Sequence, residues 1–143
     1  MRILLADDDT KIHIIVRMWL KKKGHRVESV NNGKDALTAL RKTPFDILIT
    51  DVNMPLLNGV DLVKEALIVE PSPKLIIMLT SRCDNEQLKN YFASPKVHLH
   101  NKPFSPAALT ELIETLNKNY QEHPQTASGR SPYNAHDVKI TKH

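Results

Sequence analysis

The stretch Phe45-Asp46-Ile47-Leu48-Ile49-Thr50-Asp51, followed at once by Val52-Asn53-Met54-Pro55, decides the fold. A β-branched apolar run bounded by polar residues describes a buried strand. A carboxylate that ends such a run emerges at the edge of a sheet, where open α/β sheets bind their ligands. Two other runs end in the same way: Ile3-Leu4-Leu5-Ala6 leads into Asp7-Asp8-Asp9, and Leu75-Ile76-Ile77-Met78-Leu79 into Thr80-Ser81. A weaker run around Val97 leads into Asn101-Lys102-Pro103. Acids, a hydroxyl and an amine then converge on one rim with Asp51 at its centre. Such a rim suits a metal ion and a phosphoryl group.

Between these runs lie segments of helical period, and that alternation predicts βα units around a parallel sheet. Strands are expected at about 2–6, 26–30, 46–50, 75–80 and 96–100. The first helix, 10–23, carries Ile12, Ile15, Val16, Trp19 and Leu20 at helical spacing and stops at Gly24. Ile14 and Met18 lie off that stripe; burial is expected for them, and a core position for Trp19. The turn Asn31-Asn32-Gly33 opens a second helix with Ala36, Leu37 and Leu40, closed before Thr43-Pro44. The third helix follows Gly59 and turns Val60, Val63, Ala66 and Leu67 inward. A fourth, 84–93, has only Leu88, Tyr91 and Phe92 as anchors, with Asp84 as cap and Gln87 placed for a capping box. So few anchors mark a low-stability element of the kind that switches use. The last helix starts with Ser105 as cap and Pro106 in its first turn, and buries Leu109, Leu112, Ile113 and Leu116.

The whole chain sets the bounds. Its 143 residues, 41% hydrophobic and 25% charged, suit one soluble domain. Residues 1–120 form that domain, and 121–143, rich in Ser, Pro, Thr, His and Asn, read as a flexible polar tail. No apolar run reaches the ~18 residues needed to span a bilayer, and no signal-peptide pattern opens the chain, so membrane insertion is not expected. The single Cys83 excludes an internal disulfide and fits a cytoplasmic protein. It has no evident activating base and reads as an unreactive thiol. The net charge of +4 is spread out apart from Lys21-Lys22-Lys23, a solvated helix end favoured by the macrodipole. No direct nucleic-acid binding is expected.

Asp7 and Asp8 fall near Asp51 if the first and third strands are neighbours. Clustered carboxylates raise one another's pKa unless a cation compensates, and oxygen-only ligands select a hard ion such as Mg²⁺. Asp9 reads as a helix cap. Thr80 and Lys102 are commonplace singly, at a strand end and on a surface. Together, facing the acids, they supply the donor and the fixed charge that a phosphoryl oxygen needs. His98 and His100 share a strand face, but two ligands without a third make a weak metal site, and partly buried histidines are the better reading.

The runs Leu4-Leu5-Ala6-Asp7-Asp8-Asp9, Asp51-Val52-Asn53-Met54-Pro55 with Gly59, Met78-Leu79-Thr80-Ser81 and Lys102-Pro103-Phe104 resemble the receiver domain of two-component response regulators, in its stand-alone, chemotaxis-regulator-like form. The resemblance covers about residues 1–120. It implies a doubly wound, flavodoxin-like α/β fold: five parallel strands in order 2-1-3-4-5 with five flanking helices. It implies that Asp51 accepts a phosphoryl group from a sensor histidine kinase or a phosphotransfer protein. Asp8, Asp51 and the Asn53 backbone carbonyl would hold Mg²⁺, with Asp7 acting through water. Thr80 would bind a phosphoryl oxygen, Lys102 would pair with Asp51, and the Lys102–Pro103 bond would be cis. By the same likeness the protein is a signalling phospho-acceptor, with self-catalysed transfer and autodephosphorylation, and not an enzyme.

Two positions depart from the family pattern. Leu99 stands where an aromatic switch residue is usual, and Pro95-Lys96 where a Gly-Ala pair is usual. Leu99, read with Thr80 as a switch residue, can still alternate between buried and exposed but cannot make the hydroxyl contacts of the usual tyrosine. The relay from Thr80 to the face made by the fourth helix, fifth strand and last helix therefore does not carry over from the family. An aspartyl phosphatase of the haloacid-dehalogenase type also uses an aspartate and Mg²⁺, but needs a general acid-base two residues on, where this chain has Asn53. A flavin- or nucleotide-binding module would need a phosphate loop after the first strand, where three aspartates stand instead. A binding-only degenerate receiver is disfavoured because every functional position is filled. No output domain is evident, which points to protein–protein output through an unknown partner, or to a fragment of a longer regulator. A phosphorylation-dependent homodimer is compatible with either.

Overall fold

The computed structural model describes residues 1–81, 87–89, 91–92 and 94–122. Five strands, β1 (Arg2–Ala6), β2 (Arg26–Val30), β3 (Ile47–Asp51), β4 (Leu75–Thr80) and β5 (Val97–Asn101), form one parallel sheet in the order β2-β1-β3-β4-β5. The helices are α1 (Thr10–Lys22), α2 (Gly33–Lys42), α3 (Gly59–Ile68) and α4 (Pro106–Glu122). Four helices are seen among the described residues where five were expected. The expected helix 84–93 lies partly outside them, as do its cap Asp84 and Cys83; Gln87 and Leu88 are helical. β3 and β5 each start and end one residue later than expected, so Asp51 is the last residue of its strand. α4 runs two residues past the expected boundary at Tyr120.

Strand side chains alternate between two apolar layers. Leu4, Leu48, Ile76 and Met78 pack with Ala36, Leu40, Leu62, Val63 and Ala66 under α2 and α3. Ile3, Leu5, Ile47, Ile49, Ile77 and Leu79 pack with Val16, Leu20, Leu109 and Ile113 under α1 and α4. Both faces of β1, β3 and β4 are therefore covered, while β2 and β5 close the edges half-buried.

Local chemistry sets the helix ends. Asp9 caps α1 by accepting from the Lys11 N–H at 2.9 Å, Asn32 caps α2 through Asp35, and Asn58 caps α3 through Asp61. Ser105 Oγ accepts from the Ala108 N–H at the start of α4. Gly24 takes φ +86° where α1 stops and donates to the Lys21 carbonyl, a conformation glycine adopts without steric cost.

α1 corrects one expectation. Val16 and Leu20 are buried and Ile12 packs against the core, but Ile14, Ile15, Met18 and Trp19 are exposed, at 63%, 41%, 51% and 37%. Trp19 is not a core residue, and Ile14 and Met18 are not buried. The reason is angular. On a 3.6-residue helix Ile12, Val16 and Leu20 form one arc and Ile14, Ile15, Met18 and Trp19 the next, and the sheet and α4 cover only the first. The Lys22 amine lies 6.0 Å from the Trp19 ring centroid, so the indole keeps a cation as its neighbour. Replacing Leu20 by Ala is expected to cost about 2–5 kcal/mol in urea denaturation. The change Ile14→Ala, at a position 63% exposed, is expected to cost under about 1 kcal/mol, as exposed substitutions do. An equal loss for the two would contradict this orientation of α1.

Candidate functional site

Asp7 follows β1 and Asp51 ends β3 beside it, since Ala6 pairs with Thr50 in the sheet register. Carboxylate oxygens of Asp7, Asp8 and Asp51 all lie within 4.8 Å of one another. Asp7 is fully buried, Asp51 largely so, and Asp8 exposed. Lys102, which follows β5, reaches across the rim. Its Nζ lies 3.3 Å from Asp7 Oδ2 and 3.2 Å from Asp51 Oδ1. The Lys102 N–H donates to the Thr80 carbonyl at 2.7 Å, hanging the lysine from the end of β4. The Lys102–Pro103 bond is cis, as expected.

Asp7 and Asp51 are held by backbone N–H groups. Asp7 Oδ1 accepts from the Asp9 N–H at 2.8 Å, and Asp51 Oδ1 from the Val52 N–H at 2.8 Å. Burial, reinforced by Asp7, holds the Asp51 carboxyl above the usual carboxylate range, although Lys102 and the Val52 N–H oppose the rise. For Lys102, burial lowers the amine, but Asp7 and Asp51 outweigh it and the net direction is up. Three acids against one amine leave excess negative charge, and every donor around it is an oxygen. A hard divalent cation such as Mg²⁺ fits that donor set.

The loop after Asp51 is built to stay close. Gly59 donates to the Val52 carbonyl at 2.7 Å, and a Cβ there would run into the Asp51 carbonyl and Val52 Cα. Glycine at the first position of α3 therefore lets the helix start close against the backbone of Asp51 and Val52. Leu56, exposed in the same loop, has φ +70°, a left-handed conformation that costs a leucine roughly 1–2 kcal/mol.

Thr80 is fully buried, and its hydroxyl donates to Asn101 Oδ1 at 3.3 Å. Sequence reasoning missed Asn101 as the partner of Thr80; its only signal is its place at the end of β5, which the register sets opposite Thr80. Leu99 sits one row inward, paired with Met78, and packs on the same layer as Leu88, Tyr91 and Phe92. Asn53 is exposed beside the site. His98 and His100 lie on β5, and no metal-ligating cluster among the described residues includes them; His100 stacks obliquely on Phe104.

A doubly wound sheet with three carboxylates, a hydroxyl and a lysine on its carboxyl rim defines a phosphoryl-handling α/β domain. A family model for the response regulator receiver domain matches residues 3–114, and the chain belongs to that family. It is 31% identical to the chemotaxis protein CheY-3 of Vibrio cholerae over 118 residues, covering 81% of this chain and 91% of that one. Over 77 residues it is 35% identical to the response regulator receiver protein CpdR of Brucella abortus, covering 54% of this chain and 64% of that protein. Among solved structures, the chemotaxis response regulator CheY4 of Vibrio cholerae superposes with a TM-score of 0.71 at 30% identity, over 80% of this chain and 97% of that one. The receiver domain of sensor histidine kinase PA1611 of Pseudomonas aeruginosa, with a magnesium ion in its active-site cleft, shares the fold at TM-score 0.69 and 24% identity, over 80% and 94% of the two chains. Nothing in these likenesses favours the haloacid-dehalogenase reading.

The raised pKa of Asp51 sets a sign for stability. A carboxyl that binds its proton more tightly folded than unfolded contributes stability that is full below pH ~3.9 and is lost as pH rises through the folded value. Asp51→Asn is therefore expected to raise the melting temperature at pH 7 in metal-free buffer, with the gain shrinking toward pH 4. A lower melting temperature for the variant at pH 7 would contradict the charge balance described.

Proposed function

We propose that Asp51 is the phospho-acceptor of this receiver and that its donor is the phosphohistidine of a sensor kinase or phosphotransfer protein. The observation that carries this reading is the Lys102 amine shared by Asp7 and Asp51 at the carboxyl edge of β1 and β3. An Asp51 carboxylate oxygen attacks phosphorus in line, the P–N bond breaks, and its electron pair stays on the imidazole nitrogen, which takes up a proton. Lys102 balances the added charge on the phosphoryl oxygens. Asp8, Asp51 and the Asn53 carbonyl would hold Mg²⁺, and Asp7, buried and already engaged with Lys102, would act through water. The chemistry the ion would supply there is neutralisation of charge on the transferring group. Hydrolysis of the acyl phosphate by water regenerates Asp51. The protein is a signalling component in this reading, with autodephosphorylation as its reset.

The phosphoryl group adds charge and strong acceptors at the rim. Thr80 then exchanges Asn101 for a phosphoryl oxygen, and the end of β4 carries the change to Leu99 and the layer holding Tyr91 and Phe92. That face, with β5 and α4, meets the output partner. No helix among the described residues is long and apolar enough to cross a membrane, and we place the protein in the cytoplasm. The signalling unit extends through α4, and the polar segment 123–143 lies beyond it.

A small-molecule phosphodonor with millimolar Mg²⁺ is expected to label the chain once, as read by intact mass, and Asp51→Asn to abolish the label. Mg²⁺ alone is expected to raise the melting temperature, by mass action, and Asp51→Asn to reduce that rise. Persistent labelling of the variant would sink the assignment.

The exposed apolar arc of α1 adds a docking surface, because α1 begins at the rim: the N–H of its cap Asp9 holds Asp7. A donor helix laid on Ile14, Ile15 and Met18 would lie on the helix that starts at the rim. Met18→Glu is expected to slow transfer from a phosphohistidine protein about tenfold or more, the effect of roughly 1.4 kcal/mol lost on docking. Labelling by the small-molecule donor is expected to be unchanged. Equal slowing of both would show damage to the site instead.

A further inference from the structure

At the opposite end of the sheet from Asp51, the leading ends of β4 and β5 and the last turns of α4 line a half-open cavity of about 420 Å³, within the usual range for small-ligand sites. Its lining includes two lysines, Lys74 and Lys96, together with His98 and Tyr120, and Leu75 and Leu116 supply an apolar floor. Neither amine has a carboxylate within ion-pair distance among the described residues. Lys96 Nζ donates to the neutral Ser72 Oγ at 2.7 Å, and Lys74 Nζ lies 5.4 Å from the Tyr120 ring centroid. The acidic group acting on Lys96 is Glu70, beyond α3, and its pull does not offset burial, which lowers the amine. Burial lowers His98 as well, despite the opposing hydrogen bond with the Pro95 backbone.

Lys96, bonded to a hydroxyl with Glu70 acting only from beyond ion-pair distance, and Lys74, set against a ring, have no carboxylate in contact among the described residues to balance their charge. We propose that this pocket binds a small organic oxyanion, a carboxylate or phosphate monoester carried on an apolar or aromatic body. The anionic head bridges Lys74 and Lys96 in charge-assisted hydrogen bonds, and the body lies on Leu75, Leu116 and the Tyr120 ring. The site is independent of Asp51: it uses no residue of the phospho-acceptor rim and sits at the other edge of the strands.

The test is an amide-resolved NMR titration of the full chain, without Mg²⁺, using inorganic phosphate, benzoate and phenyl phosphate as separate probes. Saturable shifts confined to the amides around Lys74, Lys96 and His98 are expected, with phenyl phosphate binding more tightly than inorganic phosphate because it also covers the apolar floor. Benzoate against phenyl phosphate decides which oxyanion is preferred. Lys74→Met and Lys96→Met are each expected to weaken binding about tenfold or more, as loss of one charge-assisted hydrogen bond implies. Lys96→Arg, which keeps the charge, should retain binding and serves if Lys96→Met fails to fold. Asp51→Asn should bind as the parent does. Shifts that never saturate, or that survive loss of both amines, would overturn the proposal. So would Lys→Met variants that only lose stability, since the lysines would then merely complement the carbonyl end of α4.

Discussion

One amine holds the rim together. Lys102 stands between Asp7 and Asp51, 3.3 and 3.2 Å from their oxygens, and without it two buried acids would face each other across neighbouring strands. Like charges at that separation, partly out of water, do not both stay ionised without a compensating cation. The fold is arranged around that requirement. β1, β3 and β4 are buried on both faces so that their ends are fixed, and the Lys102 N–H is tied to the Thr80 carbonyl so that the amine has one place to reach. Gly59 allows α3 to close onto the backbone of Asp51. The excess of acid that remains after Lys102 is counted is what makes the rim receptive to a divalent cation.

The same arrangement links site and surface. Asp7 is held through the N–H of Asp9, and Asp9 is also the cap that starts α1. The helix presenting Ile14, Ile15 and Met18 to solvent is thus the helix whose first turn orients a buried acid. A partner docked on α1 and an ion held at the rim would be linked through three residues of loop, with no long chain of packed side chains between them.

Most of the sheet was legible because strand burial is written in composition. Ile47-Leu48-Ile49 and Leu75 to Leu79 have one environment open to them, and the polar residues that end each run mark the rim. The helices were less legible. In α1 both apolar arcs have helical spacing, so periodicity supports Trp19 as well as Leu20; only the position of the sheet and α4 decides between them. Thr80 was readable as a hydroxyl at a strand end, but its partner was not. Asn101 lies twenty-one residues away, and the pairing depends on a strand register that no local pattern specifies. The basic cavity was equally hidden, because Lys74, Lys96 and Tyr120 are distant in sequence and meet only where β4 and β5 begin.

The bond from Thr80 to Asn101 turns the proposed switch into an exchange reaction. In the resting state the threonine hydroxyl already has an acceptor, so moving toward a phosphoryl oxygen gains only the difference between two hydrogen bonds. A neutral amide acceptor contributes about 0.5–1.5 kcal/mol and a charged one about 1.5–3 kcal/mol. The surplus is therefore on the order of 1 kcal/mol, enough to bias two conformations and too little to lock one. In the proposed switch Asn101 would act as a bias spring against Thr80, and the side chain at position 101 would set how far the active state is populated before any phosphoryl group arrives.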